Sequence, residues 1–415
     1  MIHLLDLPLE ILTKICFLLV NKDVLSLAMS SKYLQNVLYV ARFTKKVHFA
    51  RIQRLDYFDS FINVEYSKSK AIVPAKIQSL HWKCNAPLPA NLPNTIMHIH
   101  FGPRYHQPLT ILSDSLVYLK LGANYNHALP LLPDSLTHLI LGSNFNQPLP
   151  VLPVHLEYLD LGKCYNHQVT QLPDSLTEFK MSSPYNYPLA SLPSSLECLV
   201  LGGRYACPLP LLPETLKRLI LGHAYNHIFE KFPESLEYLI LGWCYNQSLP
   251  EFPPSLKHFT LNMCYTQHLP QLPDSLEYFT LNAYYYWHHQ ELPCNLTHLV
   301  IGYSNAQISN LPNTLTHLVL GYNSYYNGQL WQLPDSLTHL TLGPYYRKKL
   351  PSLPNSLKRL ILGESYNNPF TKLPDTLTHL VLGENYNCQL PPLPDSLTHF
   401  RLSKKYPYGI RFRFH

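Results

Sequence analysis

The chain of 415 residues has little glycine, few charged side chains and no long apolar run. Its 15 glycines show no Gly-X-Y period, which excludes a collagen helix. No stretch approaches about eighteen consecutive apolar residues, so we expect no membrane-spanning segment. The N-terminus is apolar, but Asp6, Glu10 and Lys14 interrupt it and no small-residue cleavage site follows. We therefore predict that it is not a secretory signal.

The nine cysteines form no Cys-x-x-Cys pair and no zinc-type spacing. We interpret them as free thiols of a reducing compartment, which favours a cytoplasmic location. Basic residues concentrate at the two ends: residues 1–83 hold 12 basic and 6 acidic side chains, and residues 401–415 hold 5 basic and none acidic. The long stretch 84–400 has 15 basic against 20 acidic residues. A nucleic-acid-binding array needs the opposite sign, so we expect no nucleic-acid partner. Without a long apolar segment, we expect no membrane partner either. The basic end is interpreted as a cap or tail, with contact to RNA or acidic lipid as the alternative.

Proline and tyrosine, in contrast, are abundant, with 37 and 30 copies. A proline about every eleven residues is incompatible with long helices. The prolines mark a repeat, because the pattern Leu-Pro-(Asp/Asn/Glu)-(Ser/Thr)-Leu recurs about every twenty residues from Pro93 to Pro394. Ser113 fills the one vacant proline position, which gives sixteen units. Such self-similarity indicates a repeat architecture.

One unit reads LPDSLTHLILGSNFNQPLPV. Its proline fixes the first corner of a turn, and the Asp-Ser that follows offers side-chain acceptors to free backbone N–H groups. The LxxLxL part then alternates as a short strand does. We expect Leu139 and Leu141 to face the core, and His138, Ile140 and Gly142 to face the concave side of a solenoid.

A single unit cannot fold alone. Three buried leucines contribute about 1.5–3 kcal/mol each, whereas ordering twenty residues costs about 1–2 kcal/mol per residue. Neighbouring units must therefore stack, with one parallel strand per unit and columns of Leu and Tyr inside. Little room remains for a helix, so the convex side should be extended or 3₁₀.

Residues 1–45 differ from the repeats, with few prolines and no glycine. Apolar residues at i, i+3 and i+4 predict an amphipathic helix, and two shorter helices follow it. A module of this size with so much apolar surface is marginal alone, so we expect a partner to cover part of it.

The LxxLxL core of the unit resembles leucine-rich repeats. The whole unit, with FNQPLP at residues 145–150 and many Tyr-Asn-x-x-Leu-Pro relatives, resembles the FNIP repeats of social amoebae and of giant viruses of amoebae. The resemblance covers residues 74–402. It implies an interaction protein from an amoeba or from a virus that infects one.

The N-terminal order LPLEILTKI at 7–15, with LL at 18–19, DVLSL at 23–27 and SSKY at 30–33, resembles an F-box. F-boxes are three-helix modules that dock on a Skp adaptor and so recruit a cullin ubiquitin ligase. On that resemblance six residues would dock on the adaptor: Leu7, Pro8, Ile11, Ile15, Leu25 and Met29. Met29 and Tyr33 depart mildly from the Val and from the Trp or Phe that are usual. The alternative is a helical cap on the edge of the solenoid.

These observations predict an α+β protein with an F-box at 1–45, a linker or cap at 46–73, a solenoid at 74–402 and a basic cap or tail at 403–415. The solenoid is expected to be a leucine-rich-repeat-like β-solenoid of about sixteen twenty-residue repeats. The predicted function is the substrate-recognition subunit of a Skp–cullin–F-box ubiquitin ligase, with the target protein bound by the solenoid. The alternative is a non-catalytic scaffold whose N-terminal helices only cap the array.

Two surfaces could recognise the target. The repeat period fails between residues 282 and 334, where aromatic residues typical of interface anchors concentrate. The candidates there are Tyr284, Tyr285, Trp287, Tyr303, Tyr322, Tyr326 and Trp331. The alternatives are a bulge packed on itself or drift in a tolerant loop.

The second surface is the column equivalent to His138, which is His in eight of the sixteen units. Its imidazoles at His298, His317 and His339 fall on adjacent strands and could share a metal. No carboxylate or thiol column joins them, so we predict a recognition face with pH sensitivity and no metal. No nucleophile, metalloprotease or phosphate-loop motif occurs, so we expect no enzyme and no cofactor.

Overall fold

The computed structural model describes residues 42–68, 72–282, 291–302, 310–321, 328–403 and 406–408, and single residues at 12, 15, 22, 23, 26, 27, 30 and 38. It divides into two compact units, Met1–Leu196 and Glu197–His415, called here the first and the second unit. Each contains a parallel sheet of short strands that follow one another in chain order.

The first unit has eight strands in its described residues. They are β1 (Val47–His48), β2 (Asn63–Tyr66), β3 (Ser79–Trp82), β4 (His98–Phe101), β5 (Tyr118–Lys120), β6 (His138–Ile140), β7 (Tyr158–Asp160) and β8 (Glu178–Lys180). Helix α1 (Phe49–Ile52) and a 3₁₀ turn (Phe58–Ser60) lie between β1 and β2. Each strand pairs in parallel with the next.

The second unit repeats this arrangement with eleven strands in its described residues. They are β9 (Cys198–Val200), β10 (Arg218–Ile220), β11 (Tyr238–Ile240), β12 (His258–Leu261), β13 (Tyr278–Leu281), β14 (His298–Ile301), β15 (His317–Leu320), β16 (His339–Leu342), β17 (Arg359–Ile361), β18 (His379–Val381) and β19 (His399–Arg401). All of the pairings are parallel, and equivalent repeat positions face each other.

The prediction of an α+β fold with a three-helix N-terminal module is wrong, whereas the parallel-strand solenoid is confirmed. Helix α1 and the single 3₁₀ turn are the helical elements with defined bounds in the described residues. The helical spacing of apolar residues at 1–45 indicates only a local preference for helix. The class of the fold is set by the repeats, whose strands stack in register. Most of residues 1–41 lie outside the described residues. The segment expected to be a linker or cap supplies β1 and β2.

The Pro-Asp-Ser-Leu segment forms the turn that precedes each strand. Leu136 N–H donates to Pro133 O at 3.0 Å, which closes the turn. Ser135 Oγ donates to Leu116 O on the preceding rung at 2.8 Å. The serine was expected to accept a hydrogen bond, but a carbonyl of the neighbouring rung needs a donor there. The hydroxyl therefore joins successive rungs.

The apolar residues of each rung are buried as the alternation predicts. Leu136 and Leu139 are fully buried, and Leu141 is 3% exposed. Gly142 was expected on the concave side, but it is buried. A Cβ there would lie 2.0 Å from Gly122 O, so the backbones of successive rungs approach too closely for any side chain.

The aromatic residue of each rung forms a second buried column. Tyr105 and Tyr125 stack with ring centroids 6.1 Å apart, and Phe145 continues the column at 6.1 Å from Tyr125. The same stacking occurs in the second unit, where the rings of Tyr225 and Tyr245 are 6.5 Å apart. This repeated packing explains why so many rungs carry a large ring at this position.

The asparagine that follows the aromatic residue joins one rung to the next. Asn126 Oδ1 accepts a hydrogen bond from Asn146 N–H at 2.8 Å, and Asn146 Oδ1 accepts one from Asn166 N–H at 2.9 Å. Asn226 Oδ1 and Asn246 N–H repeat the contact in the second unit at 2.8 Å. These side chains accept hydrogen bonds from N–H groups of the loop, which lie outside the strands and have no partner in the sheet.

Within the described residues, no helix has the length and apolar character needed to cross a bilayer.

Candidate interaction surface

The short strands bury their middle residue and leave the first and third residues half-exposed, as in His138–Ile140. Because side chains alternate across a strand, the first and third residues share one side of the sheet, which we call the open face. The first residues of successive strands form the first column, and the third residues form the third column.

Aromatic rings dominate the first column of the second unit. The rings of Tyr278 and His298 are 4.2 Å apart, those of His298 and His317 are 4.1 Å apart, and those of His317 and His339 are 4.2 Å apart. His258 extends the stack beyond Tyr278, also at 4.2 Å. Interplanar angles of 10° to 20° at these four contacts make this a nearly parallel stack of five rings.

Beyond the five-ring stack, Arg359 takes the next place in the column. His379 and His399 then stack with centroids 4.1 Å apart. The three histidines predicted from the sequence are therefore brought together, and they belong to a longer row of rings.

A threonine precedes the histidine in six strands and bonds to its ring. Thr Oγ1 lies 2.8–3.0 Å from His Nδ1 in every pair. The same hydroxyl donates to a carbonyl of the preceding rung at 3.0–3.2 Å. The pairs are Thr137–His138, Thr297–His298, Thr316–His317, Thr338–His339, Thr378–His379 and Thr398–His399.

These hydrogen bonds fix the tautomer of the neutral imidazoles. A hydroxyl has one proton, and at Thr297 that proton is donated to Glu277 O. Thr297 Oγ1 must therefore accept the proton of His298 Nδ1–H. The Nε2 atom of each such ring then carries the lone pair. At neutral pH the column presents a row of hydrogen-bond acceptors.

The protonation of the stack is disfavoured by its surroundings. Burial lowers the pKa of His298, His317 and His339 below the ordinary imidazole value, and the neighbouring imidazoles lower it further at His298 and His339. A proton on one ring raises the electrostatic cost of a proton on the next, only about 4 Å away. The stack therefore remains neutral at pH 7.

The geometry of the stack is poorly suited to a shared metal ion. With interplanar angles of 10° and 13°, the Nε2 lone pairs of His298, His317 and His339 lie in separate, nearly parallel planes about 4 Å apart and do not converge on one point. Turning the rings toward one ion would break their bonds to threonine. In the described parts of the chain, no three His, Cys, Asp or Glu side chains are arranged to hold a metal ion.

The two units differ in the residue types of their third column. In the first unit it is mainly polar: His81, His100, Lys120, Ile140, Asp160 and Lys180. In the second unit it is β-branched until the last strand: Val200, Ile220, Ile240, Thr260, Thr280, Val300, Val319, Thr341, Ile361 and Val381, followed by Arg401. Half-exposed β-branched side chains present apolar area to a partner without the entropy cost of long side chains.

The polar column of the first unit borders a cavity of about 620 Å³ with basic side chains on its wall, Lys83, Lys120 and Lys163. Asp160 also lines it, and its Oδ1 accepts a hydrogen bond from Gly162 N–H at 2.8 Å. Lys83 Nζ pairs with Glu65 Oε2 at 2.9 Å.

Two stacked imidazoles lie at the end of this cavity. The rings of His81 and His100 are 4.5 Å apart and nearly parallel. Burial lowers the pKa of His100 to about 4, and the charges of His81, His98, Lys120 and Lys46 act in the same direction. His100 is therefore neutral at pH 7, and the positive charge of the cavity comes from its lysines.

The equivalent groove at the end of the second unit has the opposite charge. It encloses about 700 Å³ and is lined by Glu364 and Glu384, with Arg401 as its basic residue. Both glutamates are exposed. The same repeat therefore carries a basic surface in one unit and a more acidic one in the other.

The predicted site residues fall into two groups. Trp331 is described and is 70% exposed, and Ile15 is described and half-buried. The other predicted aromatic anchors lie outside the described residues: Tyr284, Tyr285, Trp287, Tyr303, Tyr322 and Tyr326. The predicted adaptor-docking residues Leu7, Pro8, Ile11, Leu25 and Met29 also lie outside the described residues. The roles of the aromatic anchors and of the docking residues stay predictions.

Two features were missed from the sequence. The threonines before the histidines have no role in the sequence-based prediction, although the dipeptide Thr-His recurs at the start of the strands. Cys244 and Cys264 are treated there like the other cysteines, although they are separated by one repeat. In both cases the signal was the repeat position, because equivalent positions face each other across rungs.

Comparison with known proteins agrees with this architecture. The FNIP Repeat family model matches residues 125–164, 326–365 and 366–405. The solved structure of CroV588, described as a novel circular leucine-rich-repeat protein, is similar over 85% of this chain with 32% identity and a TM-score of 0.67. This chain spans 61% of the length of CroV588.

Two structures of YopM, a leucine-rich effector protein, match less well. YopM from Yersinia enterocolitica is 22% identical, with a TM-score of 0.44 and coverage of 87% of this chain and 75% of YopM. YopM from Yersinia pestis is 24% identical, with a TM-score of 0.44 and coverage of 80% and 84%. A search of curated protein sequences gave no significant match.

Proposed function

We propose that this chain, which carries FNIP repeats on a leucine-rich-repeat-like solenoid, is a protein–protein interaction scaffold that binds its partner on the open face of the second unit. The observation that carries the proposal is the stack from His258 to His339 beside a β-branched column. Stacked rings and half-exposed Val and Ile combine apolar area with polar edges, as interface centres do.

The rigidity of the surface supports this function. The open-face side chains of the stack lie on strands that pair on both sides, and threonine fixes the imidazoles of His298, His317 and His339. A partner therefore binds without the cost of ordering these groups. Partner specificity would come from the side chains of the two columns, because the buried positions are nearly constant.

The test places lysine in the third column, where the first unit itself carries Lys120 and Lys180. The double variant Val300→Lys/Val319→Lys should fold and lose its partner, since a charge would be buried in the interface. The matched control is Leu211→Lys, because Leu211 is 78% exposed outside the open face. Lys231 occupies the equivalent position one repeat later.

The measurement is affinity capture of the full chain from its native cells with quantitative mass spectrometry. At least one protein should be recovered by the wild type and by the control and lost with the double variant. Identical protein sets from all three chains would reject the open face as the binding surface. Circular dichroism of each variant checks the fold.

We further propose that the bound partner is a target for ubiquitylation. The support is the resemblance of residues 7–33 to an F-box. Leu7, Pro8 and Ile11 would contact a Skp-type adaptor, and the cullin complex would supply the transfer chemistry. The aromatic segment that includes Trp331 would help to hold the target, and the complex would act in the cytoplasm.

Co-purification with a Skp-type adaptor tests this narrower proposal. The full chain should recover the adaptor, and the variant Leu7→Ala/Pro8→Ala should not. A folded wild-type chain that recovers no adaptor would leave the scaffold function and reject the ligase role. The open-face variant should recover the adaptor normally, which separates the two proposals.

A further inference from the structure

Cys244 and Cys264 occupy the same position on adjacent rungs of the second unit. Strands β11 and β12 pair with Ile240 opposite Thr260, and each cysteine lies four residues further along its rung. Cys264 N–H donates to Trp243 O at 3.3 Å, so the two loops remain stacked beyond the strands. Adjacent rungs lie about 4.8 Å apart, within the range of about 4.4–6.8 Å between Cα atoms that a disulfide requires.

The side chains of this pair are accessible and occupy equivalent positions on adjacent rungs. Both cysteines are exposed. Burial raises the pKa of Cys264, and the neighbouring Cys244 raises it further. The raised pKa reduces the fraction of Cys264 thiolate, which makes this thiol better suited to the second, intramolecular attack.

No other two cysteines of the chain are one repeat apart. Cys164 has the same repeat position as Cys244 and is also exposed. Its equivalents on the neighbouring rungs are Asn144 and Pro184, which offer no second thiol. Among the described residues, Cys244 and Cys264 are thus the one pair of cysteines at equivalent positions on adjacent rungs, and Cys164 is an internal control for them.

We propose that Cys244 and Cys264 form a redox modification site that is oxidised by small-molecule disulfides such as glutathione disulfide. The Cys244 thiolate attacks one sulfur of glutathione disulfide and expels a first glutathione thiolate. The Cys264 thiolate then attacks the Cys244 sulfur of the mixed disulfide and expels the second. The protein loses two protons and two electrons, and one glutathione disulfide becomes two glutathione molecules.

The resulting bond fastens two rungs at a surface that carries an exposed aromatic side chain. Trp243 directly precedes Cys244, is 47% exposed and lies 6.3 Å from His223 between ring centroids. A disulfide beside an indole quenches its fluorescence, so oxidation should lower the emission of Trp243. The proposal does not rest on the proposed scaffold function.

The experiment equilibrates the reduced full chain with mixtures of glutathione and glutathione disulfide. Free thiols are then blocked, and the products are identified by intact mass and peptide mapping. The wild type should lose two hydrogens through a Cys244–Cys264 bond and carry no stable glutathione on either residue. The variant Cys264→Ser should instead accumulate glutathione on Cys244.

Cys164→Ser is the matched control and should form the bond like the wild type. In the wild type, Cys164 should react only to a mixed disulfide. Stable glutathione adducts on both Cys244 and Cys264 of the folded wild type would overturn the proposal. So would unmodified Cys244 and Cys264 under conditions in which Cys164 is fully modified. Unchanged circular dichroism of the serine variants establishes that the comparison concerns folded chains.

Discussion

The first and second units use one buried pattern to carry two different open faces. Leu139 and Leu299, at equivalent positions, are 0% and 1% exposed. Beside them the third column has Lys120 and Asp160 in the first unit but Ile240 and Val300 in the second. The fold is therefore specified by the inner side of each rung, and the outer side is free to differ in charge and polarity.

The largest loss of unfolding free energy should come from truncating the buried leucines, which both units share. Leu139→Ala and Leu299→Ala each remove a buried side chain and should each cost about 2–5 kcal/mol of unfolding free energy. Val300→Ala, on the half-exposed open face, should cost clearly less. Urea unfolding followed by circular dichroism measures all three. A near-neutral Leu299→Ala would show that the inner sides are not equivalent.

The second-largest loss of stability should come from replacing the buried glycines at which successive rungs approach each other closely. Alanine at Gly142 or Gly222 would place Cβ 2.0 Å from Gly122 O or 1.8 Å from Gly202 O. The rungs would have to separate, at a cost of about 1–3 kcal/mol in either unit. Thermal unfolding checks this, with Ser143→Ala as a neighbouring control that should change little. Glycine variants as stable as the wild type would mean that the rungs can separate there without cost.

Acid should weaken both units through their imidazoles. The pKa is lowered in the fold at His317 and, to about 4, at His100. The unfolded chain then binds more protons, so stability is complete above the unfolded value of about 6.5 and is lost as the pH falls below it. For His100 the loss should continue to about pH 4.

Melting temperatures from pH 7.5 to 4 test this pH dependence. His100→Gln and His317→Gln should each flatten the curve, because glutamine takes up no proton in this range. A variant curve parallel to that of the wild type would exclude the substituted histidine as a source of the acid sensitivity.

Removing a buried hydroxyl should have a smaller effect. The hydroxyls of Tyr105 and Tyr245 are buried and have no hydrogen-bond partner among the described residues. Phe145 already fills the same column without a hydroxyl. Tyr105→Phe and Tyr245→Phe should therefore change the unfolding free energy by less than about 1 kcal/mol, and a gain would come from removing an unsatisfied polar group. A larger loss in urea unfolding would reveal a hydrogen bond that the hydroxyl makes.

The smallest effect on stability should come from exchanging the open faces. Lys120→Ile and Ile240→Lys give each unit the residue type of the other and should change the unfolding free energy by no more than about 0.5 kcal/mol. Partner binding by the second unit should fall with Ile240→Lys alone. The measurement pairs thermal unfolding with affinity capture. A strongly destabilised Ile240→Lys would mean that the open face also supports the fold.

Much of the solenoid could be predicted because each repeat restates the same physical requirement. The alternation at Leu139 and Leu141 predicted the strand and its buried side, and the recurrent ring at Phe145 predicted a stacked column. The α+β class was wrong because helical spacing in a short segment says nothing about how most of the chain is packed. Gly142 was misplaced because close approach of two backbones is a property of neighbouring rungs, not of one.

The site was predicted less completely than the fold. The column of His298, His317 and His339 was visible in the sequence, since their repeat positions coincide. Their fixed tautomer was not, because it depends on where the Thr297 hydroxyl sends its proton. The contrast between Lys120 and Ile240 also required the open face to be defined first. The function of such residues depends on contacts between rungs that no single unit contains.

The hydrogen bonds by which asparagine and serine side chains join successive rungs affect how each unit folds. Its contacts join residues about twenty positions apart, as in the bonds from Asn146 N–H to Asn126 and from Ser235 to Leu216. Closing such a loop costs the same modest entropy at every step of the array. Folding within a unit can therefore begin at any pair of rungs and spread to its neighbours, as in a one-dimensional chain of coupled segments. Adding rungs should lengthen the process without raising the first barrier.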